Sequence, residues 1–213
     1  MSRAVIVCGA EIKDYDFVKS YLRVDDFYIC CDSGLSHIKK LGISNPDLII
    51  GDFDSHDKPD DNEYPAGEII VLPREKDDTD SAYAVKEAVK RGFDEVLLVG
   101  AIGGRLDHGL VNVYALIGLY EKDINAEIVD DYSVMGILGP ASVGTVNDQW
   151  AYFSLLAISG KVEGVTIKNA KYELKNASIA PSYQFATSNE PIQGKMVEIT
   201  VGEGYLLLIK DRI

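Results

Sequence analysis

A chain of 213 residues with 46% hydrophobic side chains can bury a real core, as one large domain or two modest ones. Its formal charge of −13 argues against a duplex-binding surface, because neutralising nucleic-acid phosphates takes clustered Lys and Arg, and the basic residues here are dispersed. Acidity does not exclude a phosphorylated small molecule, since a bound divalent ion inverts the local sign of the field.

Ala4 to Cys8 is a short β-branched run ending at Gly9, and the immediate arrival of Glu11 and Lys13 makes it a first strand and not a signal peptide. Phe17, Val18, Tyr21 and Leu22 repeat with helical spacing, predicting a helix across roughly Asp14 to Arg23. Phe27 to Cys31 is the second strand, ending in Asp32-Ser33-Gly34; Leu35, Ile38 and Leu41 then mark a helix stopped by Gly42. Leu48 to Ile50 reads as a buried third strand, with Gly51 letting the backbone turn before Asp52-Phe53-Asp54-Ser55. Residues 56–67 are acidic and proline-broken, a loop. Ile69 to Leu72 is a strand, Asp77 to Asp80 precede a helix through Ala82, Val85 and Val89, and Val96 to Val99 run into Gly100-Ala-Ile-Gly103-Gly104-Arg105-Leu-Asp107-His108. A helix through Leu110 to Ile117 and a strand at Glu127 to Val129 complete the alternation.

Strands alternating with helices over residues 1–131 predict an α/β domain, Rossmann-like, with a mostly parallel sheet. Residues 132–213 instead carry short β-prone runs, among them Trp150 to Ile158, Val162 to Ile167, Met196 to Val201 and Tyr205 to Ile209. They predict an all-β sandwich domain. Cys8, Cys30 and Cys31 read as buried thiols of a cytoplasmic protein, not a disulfide frame. No apolar stretch approaches the roughly 20 residues needed to span a bilayer.

Four polar clusters each follow a predicted strand: Asp32 with Gly34, Asp52 with Asp54, Asp77 to Asp80, and Gly100 to His108. That places them together at the carboxyl edge of one parallel sheet, where ligands of open α/β folds bind. The opposite edge carries ordinary turn residues and scattered charge. In extended backbone, Asp52 and Asp54 would point to the same side about 7 Å apart, with Phe53 opposite. Two carboxylates aimed at one point need a cation, and an oxygen-only site with few protein ligands suits Mg²⁺. Gly103-Gly104-Arg105 has the makings of an anion cradle, with backbone amides able to approach phosphate and a guanidinium to grip it. Taken singly, Asp32 could be a helix cap, the Asp77 to Asp80 carboxylates could serve the helix dipole, and His108 is a structural partner for Asp107. No Walker-type loop or dinucleotide fingerprint occurs. A Mg²⁺-dependent phosphohydrolase and a catalytically silent nucleotide-binding module stand as alternatives on the residues alone.

Together, Cys31-Asp32-Ser33-Gly34, Gly51-Asp52-Phe53-Asp54-Ser55, Lys76-Asp77-Asp78-Thr79-Asp80 and Gly103-Gly104-Arg105-Leu106-Asp107-His108 resemble the ordered motif set of the thiamine pyrophosphokinases. The resemblance implies an α/β domain followed by a β-sandwich that binds thiamine and dimerises, with active sites shared between subunits of a homodimer. It implies diphosphoryl transfer from ATP to thiamine, giving AMP and thiamine diphosphate, with Mg²⁺. Carried over by motif, Asp52, Asp54 and Asp77 or Asp80 hold the metal, and Asp32, Asp54 and Asp80 are the catalytic carboxylates. Gly34, Lys76, Thr79, Gly103, Gly104, Arg105, Asp107 and His108 serve nucleotide binding. Ser188 and Asn189 resemble the Ser-Asn element lining the thiamine pocket. This chain departs from the family pattern at Ser33, usually glycine, and at Ala186-Thr187, where a glycine usually precedes Ser-Asn.

Overall fold

The computed structural model describes residues 2–53, 67–73, 75, 77–140 and 142–213; Asp54 and Lys76 lie outside them. The chain divides into two compact units, Met1–Asp131 and Tyr132–Ile213.

In the first unit the parallel strands β1 (Arg3–Val7), β2 (Phe27–Cys31), β3 (Leu48–Gly51), β4 (Glu68–Val71), β5 (Glu95–Val99) and β6 (Asn125–Val129) lie in the order β4-β3-β2-β1-β5-β6. β1 and β3 are buried along their whole length, which is why they read as unbroken apolar runs and not as alternating ones. Short helices α1 (Tyr15–Lys19) and α2 (Ile38–Leu41) pack on one another, while α3 (Asp80–Lys90) packs on β1 to β3 and on α4 (Leu106–Tyr120). α1 is shorter than its apolar spacing predicts, because Tyr21 and Leu22 continue in tighter turns and the Arg23 N–H is captured by Asp26 at 2.6 Å. Chain progress runs outward from β1 through β2 to β4, then restarts beside β1 at β5. The strand order therefore reverses between β1 and β5, and a crevice opens at their carboxyl ends.

The amino ends of these strands are tied by charge. Arg3, buried, donates from Nε and Nη2 to the two Asp26 oxygens, both at 2.7 Å, and Arg23 forks onto Glu95 at 2.6 and 2.8 Å. Charges that the sequence shows as scattered among ordinary turn residues are thus paired at this edge.

The second unit contains two antiparallel arrays. One joins β7 (Ser133–Leu138), β13 (Leu206–Asp211) and β9 (Tyr152–Ala157); the other orders β11 (Leu174–Ile179), β10 (Val162–Lys168), β12 (Val197–Thr200) and β8 (Val143–Val146). Both contribute to one apolar core, including Phe153, Leu155, Val165, Ile199 and Leu206, none of which is solvent-exposed. Truncating one of these to alanine costs about 2–5 kcal/mol. Among the described residues no helix is long and apolar enough to cross a membrane.

Candidate active site

A pocket of about 630 Å³ occupies the crevice of the first unit, and every segment that follows a central strand contributes to its lining. Behind β1 come Gly9, Ala10 and Glu11; behind β2, Asp32 and Ser33; behind β3, Asp52; at the start of α3, Thr79, Asp80 and Ser81. Behind β5 come Gly100, Ala101, Gly103, Gly104 and Arg105, and α4 adds His108 and Asn112. Side chains 80 residues apart in sequence thus face one space because parallel strands deliver all their carboxyl ends to one edge.

Asp32 opens a 3-10 turn (Asp32–His37) and is buried at 6% exposure. Its place is set by Gly51, where a Cβ would fall 2.5 Å from the Asp32 Cβ. Gly51 is thus the last residue of β3 and makes room for a neighbour, instead of turning the chain as its sequence position suggested. Gly34 backs onto β1, where any Cβ would sit 2.1 Å from the Val7 carbonyl oxygen; it lies outside the pocket lining. Phe53 has φ +51°, the left-handed region that costs a non-glycine residue about 1–3 kcal/mol. Asp52 is therefore followed by a residue outside extended backbone.

Thr79 caps α3, its hydroxyl accepting the Ala82 N–H at 3.2 Å, so Asp80 is the first helical residue. Asp77 and Asp78 precede the helix. Asp77 is exposed and outside the lining, and Asp78 is drawn to the Lys86 ammonium at 2.5 Å. Gly103 and Gly104 hold φ +129° and +64°, a pairing open to few residues other than glycine. Arg105 forks onto Asp107 through Nε (3.2 Å) and Nη2 (2.5 Å). The Arg105 guanidinium holds the Asp107 carboxyl down at about 2, and His108 contributes mainly through its backbone N–H. The structural partner of Asp107 is thus Arg105, not the His108 imidazole. Two of the five guanidinium donors are used in this fork, which leaves others to meet an anion.

Two thiols, Cys8 and Cys31, also line the pocket, and Cys30 lies beside Cys31 in β2. A hydrogen bond with Cys8 and burial push the Cys31 thiol well up, and burial does the same to Cys30, so both remain protonated. Just beyond β6, the carboxylate of Asp131 accepts the Lys13 and Asp14 N–H groups, both at 2.8 Å, and so ties down the segment that follows Glu11. Glu11, Ser81 and Asn112 line the pocket but were missed by the motifs; Glu11 was signalled only by polarity after a strand, Asn112 only by helical spacing from His108, and Ser81 by neither.

Among the described residues no three Asp, Glu, His or Cys side chains form a complete metal cage. The donor set nevertheless fits Mg²⁺: Asp52 and Asp80 supply hard oxygens from two segments, and that ion takes one or two carboxylates and completes its shell with phosphate and water.

Ser188 and Asn189 belong to the second unit, between β11 and β12. Ser188 has φ +54°, and its N–H donates to the Ser154 hydroxyl at 3.1 Å. Asn189 is 3% exposed and turns inward: its Oδ1 accepts from the Tyr172 and Glu190 N–H groups (3.0 and 2.9 Å), and its Nδ2 donates to the Tyr172 carbonyl at 2.8 Å.

Two family models match the chain: "Thiamin pyrophosphokinase, catalytic domain" over residues 18–128 and "Thiamin pyrophosphokinase, vitamin B1 binding domain" over residues 145–206. The chain is 26% identical over 209 residues to the thiamine pyrophosphokinase of Bacillus subtilis (strain 168), covering 97% of each. It is 24% identical over 175 residues to thiamin pyrophosphokinase 1 of Caenorhabditis elegans, covering 77% of this chain and 71% of that protein. Among solved structures, the thiamin pyrophosphokinase of Geobacillus thermodenitrificans superposes with a TM-score of 0.80 at 29% identity, covering 99% and 97% of the two chains. The Bacillus subtilis structure shares the fold at a TM-score of 0.86 and 24% identity, covering 99% of both. With one model spanning just over half of the chain and the other most of its second unit, the chain belongs to the thiamin pyrophosphokinase family.

Proposed function

We propose that the crevice of the first unit is where this chain, a thiamine diphosphokinase, transfers the diphosphoryl group of ATP to the hydroxyl of thiamine. The observation that carries the reading is the meeting of Asp32, Asp52, Asp80, Gly103, Gly104 and Arg105 around one pocket. The thiamine hydroxyl approaches the β-phosphorus of ATP in line, its oxygen bonds to that phosphorus, and the bond to the AMP oxygen breaks. Negative charge develops on the leaving oxygen, and position and electrostatics supply most of the catalysis. Asp52 and Asp80, with Asp54 and Asp77 as further candidates, would hold Mg²⁺, which supplies charge neutralisation on the polyphosphate. Arg105 and the amides of Gly103 and Gly104 grip phosphate oxygens. Asp32 or Asp80 orients the thiamine hydroxyl and takes its proton.

The first unit is thus the ATP- and metal-binding catalytic domain in a Rossmann-like arrangement. The second is a β-sandwich that binds thiamine through the Ser188 region and dimerises. A homodimer with shared active sites is supported by exposed apolar residues at helical spacing on α4, Leu106, Leu110 and Tyr114, beginning beside Arg105. Three free, buried cysteines support a cytoplasmic setting.

The test is incubation with ATP, Mg²⁺ and thiamine, resolving AMP from ADP. AMP with thiamine diphosphate is expected, and Asp80→Asn should lower kcat at least about 100-fold through lost charge stabilisation. ADP as the nucleotide product, or an active Asp80→Asn enzyme, contradicts the reading.

A further inference from the structure

We infer that Asn112 is a positioning residue that locks the Asp80 end of α3 to the glycine loop after β5, and so sets the spacing between carboxylate and phosphate cradle. The inference rests on the placement of ATP phosphates proposed above.

Asn112 lies on α4 four residues beyond His108, 5% exposed, with both ends of its amide engaged. Nδ2 donates to the Ala101 carbonyl at 2.8 Å, inside the loop that leads to Gly103 and Gly104. Oδ1 accepts from the Ser81 hydroxyl at 2.7 Å, next to Asp80. The orientation of this amide is fixed by chemistry: a carbonyl oxygen can only accept, so Nδ2 must face Ala101 and Oδ1 must face Ser81.

That choice propagates. Ser81 has one hydroxyl hydrogen and gives it to Asn112, so in its 3.0 Å contact with Thr79 it must accept, and Thr79 must donate. Thr79 in turn accepts the Ala82 N–H at 3.2 Å. The result is a one-way series from the Ala82 N–H through Thr79, Ser81 and Asn112 to the Ala101 carbonyl. It joins three chain segments, all of which line the pocket. One consequence alters a motif assignment: the only hydroxyl hydrogen of Thr79 is committed inward, so Thr79 serves as cap and first link and donates no hydrogen bond to phosphate.

Asn112→Ala removes both bonds and releases the loop from α3; a misplacement of about 1 Å at a reacting centre can cost about 100-fold in rate. Steady-state kinetics on the full chain should show kcat/KM for ATP reduced about 10- to 100-fold in Asn112→Ala. Ser81→Ala should show a smaller loss, and the double variant should be no worse than Asn112→Ala within about twofold, because the two residues act in one series. Ser81→Thr keeps the donor and should retain activity, a rescue that packing alone does not predict. The Ser81 pair carries the test if Asn112→Ala does not fold. Unchanged kcat/KM for ATP in folded Asn112→Ala and Ser81→Ala, while Asp80→Asn and Arg105→Ala lose it, overturns the positioning role and leaves the phosphate site standing. Unchanged kcat/KM in Asp80→Asn and Arg105→Ala overturns both.

Discussion

Asp26 offers the sharpest stability test, because it lies at the sheet edge opposite the pocket. Its side chain is 1% exposed and that of Arg3 is 7% exposed. The carboxylate accepts three hydrogen bonds: Arg3 Nε at 2.7 Å, Arg3 Nη2 at 2.7 Å and the Arg23 N–H at 2.6 Å. Asp26→Ala leaves the Arg3 guanidinium buried, with the Tyr21 carbonyl at 2.8 Å and Glu95 only at 3.8 Å. Stranding one member of a buried ion pair costs about 3–5 kcal/mol. For a chain of this size each kcal/mol moves the melting temperature by roughly 2–4 °C, so a fall of about 6–20 °C is expected.

The only tryptophan, Trp150, sits in the second unit, whereas α1 to α4 all sit in the first. Far-UV circular dichroism at the helical band is therefore the right monitor of this melt, and tryptophan fluorescence is not. The pair is not assumed to be a net gain over apolar packing. Replacing both partners by similar-sized apolar residues, Arg3→Met with Asp26→Leu, is expected to recover most of the loss, since no uncompensated charge remains. A fall below about 3 °C for Asp26→Ala, or a double variant no better than the single, would refute the reasoning.

Gly104→Ala meets no atom within 4 Å, so its cost is the φ +64° backbone alone, about 1–2 kcal/mol by denaturant midpoint, together with a raised KM for ATP. Asn189→Ala deletes three hydrogen bonds and strands the Tyr172 N–H and carbonyl, which should cost about 2–4 kcal/mol in a urea melt. Asp107, depressed to about 2 by Arg105, keeps its pair charged above that pH and loses it only as the pH falls through about 2. An NMR titration should find that low midpoint, moving toward about 3.9 in Arg105→Ala; a wild-type midpoint near 4 contradicts the fork.

The parallel half was legible because its central strands are buried on both faces, so β1, β3 and β5 stand out as unbroken apolar runs. Two strands of the second unit, β8 and β11, were not. They flank their sheet, and half of the residues of β11 are exposed, leaving little apolar signal. The pocket aspartates Asp32, Asp52 and Asp80 were legible through their position after strands. Ser81 and Asn112 were not, because an interior relay is made by partners 31 residues apart, a pairing that only tertiary structure creates. The role of Asn189 escaped for the same reason: sequence shows a polar side chain but not that its amide is spent on Tyr172. Phe53 shows the converse, a strained residue that no apolar pattern announces.

Both edges of the sheet carry charge, and the way it balances separates a structural edge from a binding one. At the amino edge Arg3 and Arg23 meet Asp26 and Glu95, two cations on two anions, and the Asp47 carboxylate accepts the Tyr28 N–H at 2.8 Å. The described lining of the pocket carries four carboxylates, Glu11, Asp32, Asp52 and Asp80, and one guanidinium, Arg105, with Glu11 also 3.8 Å from the Lys13 ammonium. Like charges about 4 Å apart at an effective dielectric near 20 repel by about 4 kcal/mol, so a polyphosphate entering by itself is opposed. ATP affinity should therefore depend steeply on divalent cation, as it would not at a basic anion site. Isothermal titration with ATP in excess Mg²⁺ against ATP in EDTA should differ by at least about 100-fold, which corresponds to about 2.7 kcal/mol. Asp80→Asn should narrow that gap, because removing a carboxylate weakens the metal-dependent mode and relieves repulsion in the metal-free one. Equal affinity in EDTA would mean that Arg105 and the loop amides suffice, and the acidic lining would need another explanation.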